Sequence, residues 1–121
     1  MQEFKQLIGR KNEYFSSIRN LDPENKCPAL LFHEEILQPG RRSSNTHYHS
    51  KKQECVFLME GELHIVMGDK KVLIKAGESF SFPPEQTPHY MENLTDKEAR
   101  YISVAAEFKG DKTVFTEFPG L

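Results

Sequence analysis

The chain has 121 residues, 37% of them apolar, and a formal net charge of -2, which suits one domain with a modest core rather than two domains. This charge excludes the basic field that non-specific nucleic-acid binding needs, and no stretch reaches the about 20 apolar residues of a transmembrane helix. With two cysteines and a charged amino-terminal segment, the sequence predicts a cytoplasmic protein that contacts neither nucleic acid nor a membrane.

The first part of the chain, residues 1–28, is expected to form an arm. Apolar residues recur there at helical spacing in two short segments: Phe4, Leu7 and Ile8, then Tyr14, Phe15 and Ile18. This spacing favours short helices. Residues 21–28, which include Asp22, Pro23, Asn25 and Pro28, predict a loop.

The second part, residues 29–121, reads as a domain of short strands separated by turn residues. The predicted strands are 29–37, 55–60, 63–67, 72–74, 79–82, 101–106 and 114–118. Phe80 and Phe82 alternate with serines, which is the period of a half-buried strand. Short strands with frequent turn signals are typical of an antiparallel sandwich or a small barrel, so we expect an all-β fold.

Four side chains in this domain are suited to bind a metal ion. His47 and His49 are two residues apart, so in a strand both imidazoles point to one face. The polar segment 50–53 predicts a loop, and Glu54 opens the next strand beside the histidines. His89 would have to return to the same cavity from further along the chain. Imidazoles with one carboxylate suit iron, manganese, nickel, copper or zinc.

The spacing of these residues resembles that of the cupin superfamily. The first motif runs from Gly40 through His47, His49 and Glu54 to Gly61, and the second runs from Gly77 through Pro83-Pro84 and His89 to Asn93. The resemblance implies a double-stranded β-helix, also called a jelly-roll barrel. It also implies one divalent metal ion (Fe, Mn, Ni, Zn or Cu) held by His47, His49, Glu54 and His89.

One segment departs from the family pattern, because the turn at residues 85–87 is one residue longer than usual. An extra residue within a strand would turn every later side chain to the opposite face. Since His89 and Asn93 keep their mutual spacing, we expect the insertion to lie in a loop and His89 to stay in the site.

Strand alternation predicts further residues around the metal. Asn45, Val56, Leu58 and Met91 share the parity of the ligands and are expected to line the pocket, with ordinary core packing as the alternative. Tyr101 and Ser103 can line it as well, but their parity relative to the ligands is not determined by the sequence. Cys55 has the opposite parity to Glu54 and is expected to be buried, whereas His33 and His64 lie outside both motifs and are interpreted as structural or surface residues.

Three functions fit this pattern. The first, which the sequence favours weakly, is an oxygenase-type enzyme acting on a small organic molecule. The second is a metal-dependent isomerase or epimerase of a sugar or sugar phosphate, which needs an acid or base beyond the ligands; the sequence offers no convincing inward acid other than Glu54. The third is a binding module without turnover. No catalytic residue and no organic cofactor are assigned.

A homodimer is also expected, because cupins commonly pair their barrels. Phe115 and Phe118 in the carboxyl-terminal tail are apolar residues that suit an interface, with packing on the chain's own barrel as the alternative.

Overall fold

The structure is a computed structural model that describes residues 3–82, 88–106 and 108–115. Within these residues the chain forms eleven strands and a 3-10 helix at Arg10–Asn12. The strands are β1 Lys5–Ile8, β2 Tyr14–Asn20, β3 Leu30–Leu37, β4 His47–His49, β5 Gln53–Glu60, β6 Glu62–Met67, β7 Lys70–Lys75, β8 Ser79–Phe82, β9 His89–Glu92, β10 Ala99–Ala106 and β11 Thr113–Phe115. No helix among the described residues has the length and apolar character that crossing a membrane requires.

The strands form two antiparallel sheets. The first has the order β1-β2-β3-β10-β5-β8, and the second has the order β11-β4-β9-β6-β7. Neighbouring strands are mostly distant in the chain, as in a wound barrel, and one apolar core lies between the two sheets. Its fully buried members include Leu37, Leu58, Leu63, Ile65 and Tyr101. The expected all-β, double-stranded β-helix fold is confirmed.

The predicted strands agree with the observed ones to within a few residues. Residues 72–74 extend to Lys70–Lys75, for example, and 55–60 extends back to Gln53–Glu60. The predicted loop at residues 21–28 is confirmed as a series of turns and bends. The predicted strand 114–118 overlaps β11, but residues 116–118, like the longer turn at 85–87, lie outside the described residues.

The prediction that Cys55 is buried is wrong. Its parity is as expected, since Val56 and Leu58 point into the core and Cys55 points the other way. The side chain is nevertheless exposed rather than buried. The reason is that β5 has only one face on the core, so a residue of opposite parity lies on the outer face of the first sheet.

The helices expected in the arm are also wrong, because β1 and β2 form a hairpin that extends the first sheet. β2 pairs with β3 from Ser17 opposite Ile36 to Asn20 opposite His33. Pairing along an open sheet edge satisfies backbone groups that a short isolated helix would leave to water. Gly9 permits the hairpin to close, since a Cβ there would lie 2.4 Å from the Phe15 ring. The arm therefore forms part of the wall of the barrel.

Candidate metal centre

Three of the predicted ligands converge where β4 and β5 meet. His47 and His49 lie on one face of β4, and Glu54 is the second residue of β5 after a short loop. One ligand atom from each of the three lies within 4.8 Å of those of the other two. His49 is buried, while His47 and Glu54 are partly buried. This group can hold a metal ion.

The fourth predicted ligand, His89, lies beside this group. It begins β9 and pairs with His47 across the two strands. Its ring centroid is 4.9 Å from that of His47 and stacks at 4.4 Å on Phe82, and the residue is 7% exposed. His89 is not a member of the 4.8 Å group, although its side chain lines the same cavity. The structure thus brings all four predicted ligands to one cavity and three of them to mutual ligand distance.

Hydrogen bonds orient the histidine rings. Nδ1 of His47 lies 2.7 Å from the carbonyl oxygen of Asn45. Nε2 of His49 lies 3.0 Å from Oε1 of Glu54, while its Nδ1 lies 3.2 Å from Oδ2 of Asp111. Metal-binding histidines are commonly held through the second ring nitrogen in this way, which fixes the tautomer and the direction of the ligand nitrogen.

The charges around the group favour the forms that bind metals. Burial opposes the ionisation of Glu54, but its hydrogen bond with His49 and electrostatic interactions with His49, Lys52 and His89 outweigh it and hold the pKa of Glu54 below its usual value. Burial lowers the pKa of His47, although its hydrogen bond to Asn45 opposes this shift. Carboxylate and neutral imidazole are the species that coordinate metals, and together they suit a borderline divalent ion such as Fe, Mn, Ni, Zn or Cu.

The group opens into a cavity of about 320 Å³. This volume lies at the lower end of the range of about 300–1,000 Å³ found for small-molecule sites. The arm contributes Leu7 and Ile18 to its wall, and Phe82 and Met91 add apolar surface near His89. A small organic molecule therefore fits beside the metal ligands.

Of the four residues predicted to line this cavity, the structure places Met91 in its wall, as expected, and the other three elsewhere. Val56 and Leu58 point inward but belong to the core beneath it, because β5 runs away from the cavity after Glu54. The side-chain oxygen of Asn45 lies 3.5 Å from Arg42, so this residue holds His47 through its carbonyl instead of lining the pocket.

Strand β10 carries the two residues whose orientation relative to the ligands the sequence does not determine, Tyr101 and Ser103. Ser103 lines the cavity, while Tyr101 is fully buried behind it. The Tyr101 hydroxyl donates a 2.8 Å hydrogen bond to Oε1 of Glu35. Tyr101 therefore acts on the cavity through that carboxylate.

Glu35 and His33 are cavity residues that the sequence reasoning missed. Both lie on β3 with the parity of the buried Leu37, and both line the cavity. The sequence feature that could have identified Glu35 is an acidic residue at an inward-facing position of a mostly apolar strand. The sequence interprets His33 as structural or surface. Burial together with the charge of Lys52 lowers its pKa against the opposing charge of Glu54, and this net shift favours the neutral imidazole.

Glu35 carries an unusual set of contacts for a carboxylate. Its Oε1 accepts hydrogen bonds from the Ser16 hydroxyl at 2.6 Å and from Tyr101 at 2.8 Å. Burial raises the pKa of Glu35, the two donors oppose the shift, and the charge of Glu54 adds to it. The result is a fixed acid in the cavity, outside the 4.8 Å ligand group, with a pKa above the usual glutamate value.

The protein-family model of the cupin domain matches residues 33–105 of this chain. This segment contains both motifs, all four predicted ligands and Glu35. The chain belongs to the cupin superfamily. Its paired sheets and clustered histidines agree with that assignment.

Among solved structures, this cupin is similar to a sugar phosphate isomerase from Silicibacter pomeroyi, with 24% identity, a TM-score of 0.82, and coverage of 95% of this chain and 78% of that one. It is also similar to a predicted oxalate decarboxylase from Thermotoga maritima, with 21% identity, a TM-score of 0.73, and coverage of 87% and 92%. At these identities the likeness shows a shared fold.

Among curated proteins, this cupin is 31% identical over 67 residues to the polyketide synthase CurC of Streptomyces cyaneus. The matched segment covers 55% of this chain and 42% of CurC, less than half of that protein.

Proposed function

We propose that this cupin is a metal-dependent isomerase or epimerase that moves a proton on a small carbonyl-containing molecule, with Glu35 as the group that exchanges the proton. The observation that carries this proposal is the presence of two separate acids in one cavity. Glu54 belongs to the ligand group, whereas Glu35 does not. Isomerisation requires such an additional acid or base.

The metal part of the proposal uses one divalent ion, of iron, manganese, nickel, zinc or copper, on His47, His49, Glu54 and His89. A divalent ion bound there supplies Lewis-acid polarisation of a carbonyl oxygen, which makes the protons on the adjacent carbon more acidic. The residues themselves orient the substrate. Phe82 and Met91 exclude water from one side of the cavity.

Glu35 is built to exchange a proton with the substrate. Ser16 and Tyr101 both donate to Oε1 and fix the carboxyl plane. No hydrogen bond to Oε2 is found among the described residues, so this oxygen is available to the substrate. Because burial raises the pKa of Glu35, its carboxylate is a stronger base than an exposed one, and its protonated form persists long enough to return the proton to a neighbouring carbon.

The structure changes the balance between the functions that the sequence left open. The sequence disfavours the isomerase because it offers no convincing inward acid other than Glu54, and Glu35 removes that objection. The isomerase named among the similar folds supports proton transfer as a chemistry of this barrel. The oxygenase and the non-catalytic binding module become distinct outcomes of the test.

The test is proton exchange with solvent. We would load the protein with Mn(II), Fe(II) or Zn(II) and incubate it in D2O with a panel of aldoses, ketoses and their phosphates, and follow the products by NMR. Deuterium is expected on the carbon next to the carbonyl. Glu35→Gln should lower this exchange by about 100-fold or more while the metal content stays the same. Glu24→Gln, an exposed glutamate, is the control.

Two results would contradict the proposal. Consumption of dioxygen with an organic substrate, in the absence of deuterium exchange, would indicate the oxygenase. A ligand that binds tightly and is never converted would indicate the binding module. In either case Glu35→Gln would leave the observed activity or affinity within about two-fold of the wild type.

A further inference from the structure

Lys52 occupies a place that the proposed chemistry does not explain. It is partly buried in the loop between β4 and β5 and lines the 320 Å³ cavity. It also lines a second cavity of about 250 Å³ with Phe108, Asp111 and Thr113. Lys52 is the only lysine or arginine among the described residues that line the main cavity.

The position of Lys52 is fixed by its main chain. Oδ1 of Asp111 accepts the backbone N–H groups of Lys51 at 2.7 Å and of Lys52 at 2.8 Å. Oδ2 of the same carboxylate lies 3.2 Å from Nδ1 of His49. One aspartate therefore connects the loop that carries Lys52 to a predicted metal ligand, which keeps the lysine and the metal group in a constant relation.

No described side chain makes a direct ion pair or hydrogen bond with the ammonium group of Lys52, although the Glu54 carboxylate interacts with its charge through space. That carboxylate is engaged by His49. The charge of Lys52 lowers the pKa of His33, His47 and Glu54. Lys52 and these three groups line the same cavity.

A partly buried cation that touches no counterion regains only part of the hydration that it loses, unless a ligand supplies a direct contact. When a divalent ion is bound, the cavity would also carry excess positive charge, since Glu54 is the one lining carboxylate in the ligand group. Both conditions favour an anionic ligand over a neutral one.

We infer that Lys52 binds an anionic group of the substrate, a carboxylate or a phosphate, and that the substrate is a small organic anion. The inference rests on the proposed function, because the other end of the molecule is placed at the metal ligands. Lys52 would thus select substrates by charge, while Glu35 acts on their carbon atoms.

The experiment measures binding of glycerol 3-phosphate, glycerate and glycerol by calorimetry, with metal-free and Mn(II)-loaded protein. The variants are Lys52→Met, Lys52→Arg and Lys51→Met. Lys51 is the matched control, since it is exposed and its backbone N–H donates to the same Asp111 oxygen. We expect Lys52→Met to weaken anion binding at least about 10-fold, whereas Lys52→Arg and Lys51→Met stay within about three-fold of the wild type. The affinities for glycerate and for glycerol 3-phosphate show whether a carboxylate or a phosphate is preferred.

The outcomes separate the anion site from the metal site. Equal affinity of the wild type and Lys52→Met for both anions, or equal affinity of the wild type for glycerol and the anions, would overturn the inference. If Mn(II) fails to bind while anion binding to metal-free protein still depends on Lys52, the proposed function fails and the anion site stands. Added salt should weaken anion binding by the wild type more than by Lys52→Met.

Discussion

At the scale of single residues, Glu35 combines opposing influences on one carboxyl group. Burial and the charge of Glu54 favour the neutral form, while the hydroxyls of Ser16 and Tyr101 stabilise the charged form. The net shift is upward. The same contacts raise the pKa of Tyr101 well above its ordinary value, because burial and the adjacent carboxylate both disfavour the phenolate. Tyr101 therefore keeps its proton, and remains a hydrogen-bond donor to Glu35, at neutral pH.

The raised pKa of Glu35 predicts how stability depends on pH. Above the ordinary glutamate pKa of 4.5 the unfolded chain releases this proton while the folded chain still holds it. The free energy of unfolding should therefore fall as the pH rises from 4.5 through the higher pKa of the folded state. Glu35→Gln should remove that decrease, because glutamine keeps the acceptor for Ser16 and Tyr101 without the charge. Urea unfolding at about pH 4 to 8 measures the difference.

The control for this prediction is Glu24→Gln, which removes an exposed carboxylate that pairs with Lys26 in solvent. Its pH profile should match that of the wild type. If Glu35→Gln also kept the wild-type slope between about pH 4.5 and 7, the carboxyl group of Glu35 would not be held in its raised-pKa environment.

Asp111 carries a second prediction at this scale. Its carboxylate accepts the N–H groups of Lys51 and Lys52 and contacts His49, which together overcome burial and hold its pKa at about 2. Asp111→Ala should weaken Mn(II) or Zn(II) affinity about 10-fold or more, because His49 loses the partner that orients it. Asp69→Ala, in the exposed turn between β6 and β7, is the matched control. Competition with a chelating dye gives the affinities, and equal values for the two variants would contradict the role of Asp111.

The sequence identifies some residues of the site and misses others for a physical reason. His47, His49 and Glu54 are close in the chain, so local spacing alone predicts that they meet. Glu35 reaches the cavity through pairings of β3 with β10 and β2, and these pairings join segments distant in the chain. Parity along β3 is visible in the sequence, but which sheet face borders the cavity depends on that non-local register.

At the scale of elements, Gly61 in the β5–β6 turn and Gly40 in the loop between β3 and β4 form a matched pair of glycines. Gly61 and Gly40 have positive φ angles of 83° and 77°. A Cβ on Gly61 would lie 2.7 Å from the carbonyl oxygen of Glu98, whereas a Cβ on Gly40 would meet nothing within 4 Å. Both substitutions to alanine add backbone strain, and only Gly61→Ala adds a clash with rigid backbone.

Gly40→Ala should therefore lower the free energy of unfolding by about 1 kcal/mol, the usual penalty for an alanine in this conformation. Gly61→Ala should cost about 2 kcal/mol or more beyond that, because the β10 strand start must move. Urea denaturation at neutral pH measures both. Equal losses would mean that the turn relaxes away from Glu98 and that the close approach is not needed.

The arm shows where local patterns mislead. Apolar residues three and four apart within a window as short as Phe4–Ile8 fit one helical turn and a strand equally well, so the outcome depends on available partners. The exposed edge of β3 provides them, and Phe15 packs over Gly9 in the resulting hairpin. The turn residues that separate the later strands are local signals, which explains why those strand limits were predicted closely.

At the scale of the whole molecule, the outer face of the first sheet carries an apolar patch beside the charged cluster of Glu34, Arg19 and Arg100. Phe32, Val104 and Cys55 lie side by side on β3, β10 and β5. In the next row Ile102 lies between Glu34 of β3 and Phe57 of β5. Phe32 is 36% exposed and Phe57 is 44% exposed. Contiguous apolar surface of this kind commonly marks an interface.

We propose that the homodimer expected from the sequence forms through this surface. The earlier expectation used Phe115 and Phe118, whose side chains lie outside the described residues. A self-complementary pairing of the Phe32–Phe57 faces would cover the exposed rings of both copies and leave the cavity, which opens on the inner side of the same sheet, accessible.

Phe57→Asp should then shift the protein from dimer to monomer in size-exclusion chromatography with light scattering, because each dimer would bury two unpaired carboxylates at its centre. Metal content and deuterium exchange should stay unchanged, since Phe57 points away from the core and the cavity. Leu94→Asp, another exposed apolar residue that lies in the loop after β9 and outside this face, is the control and should leave the molar mass as in the wild type. A wild-type protein that is monomeric at about 100 μM, well above the Kd of a stable homodimer, would show that the exposed phenylalanines serve no self-association.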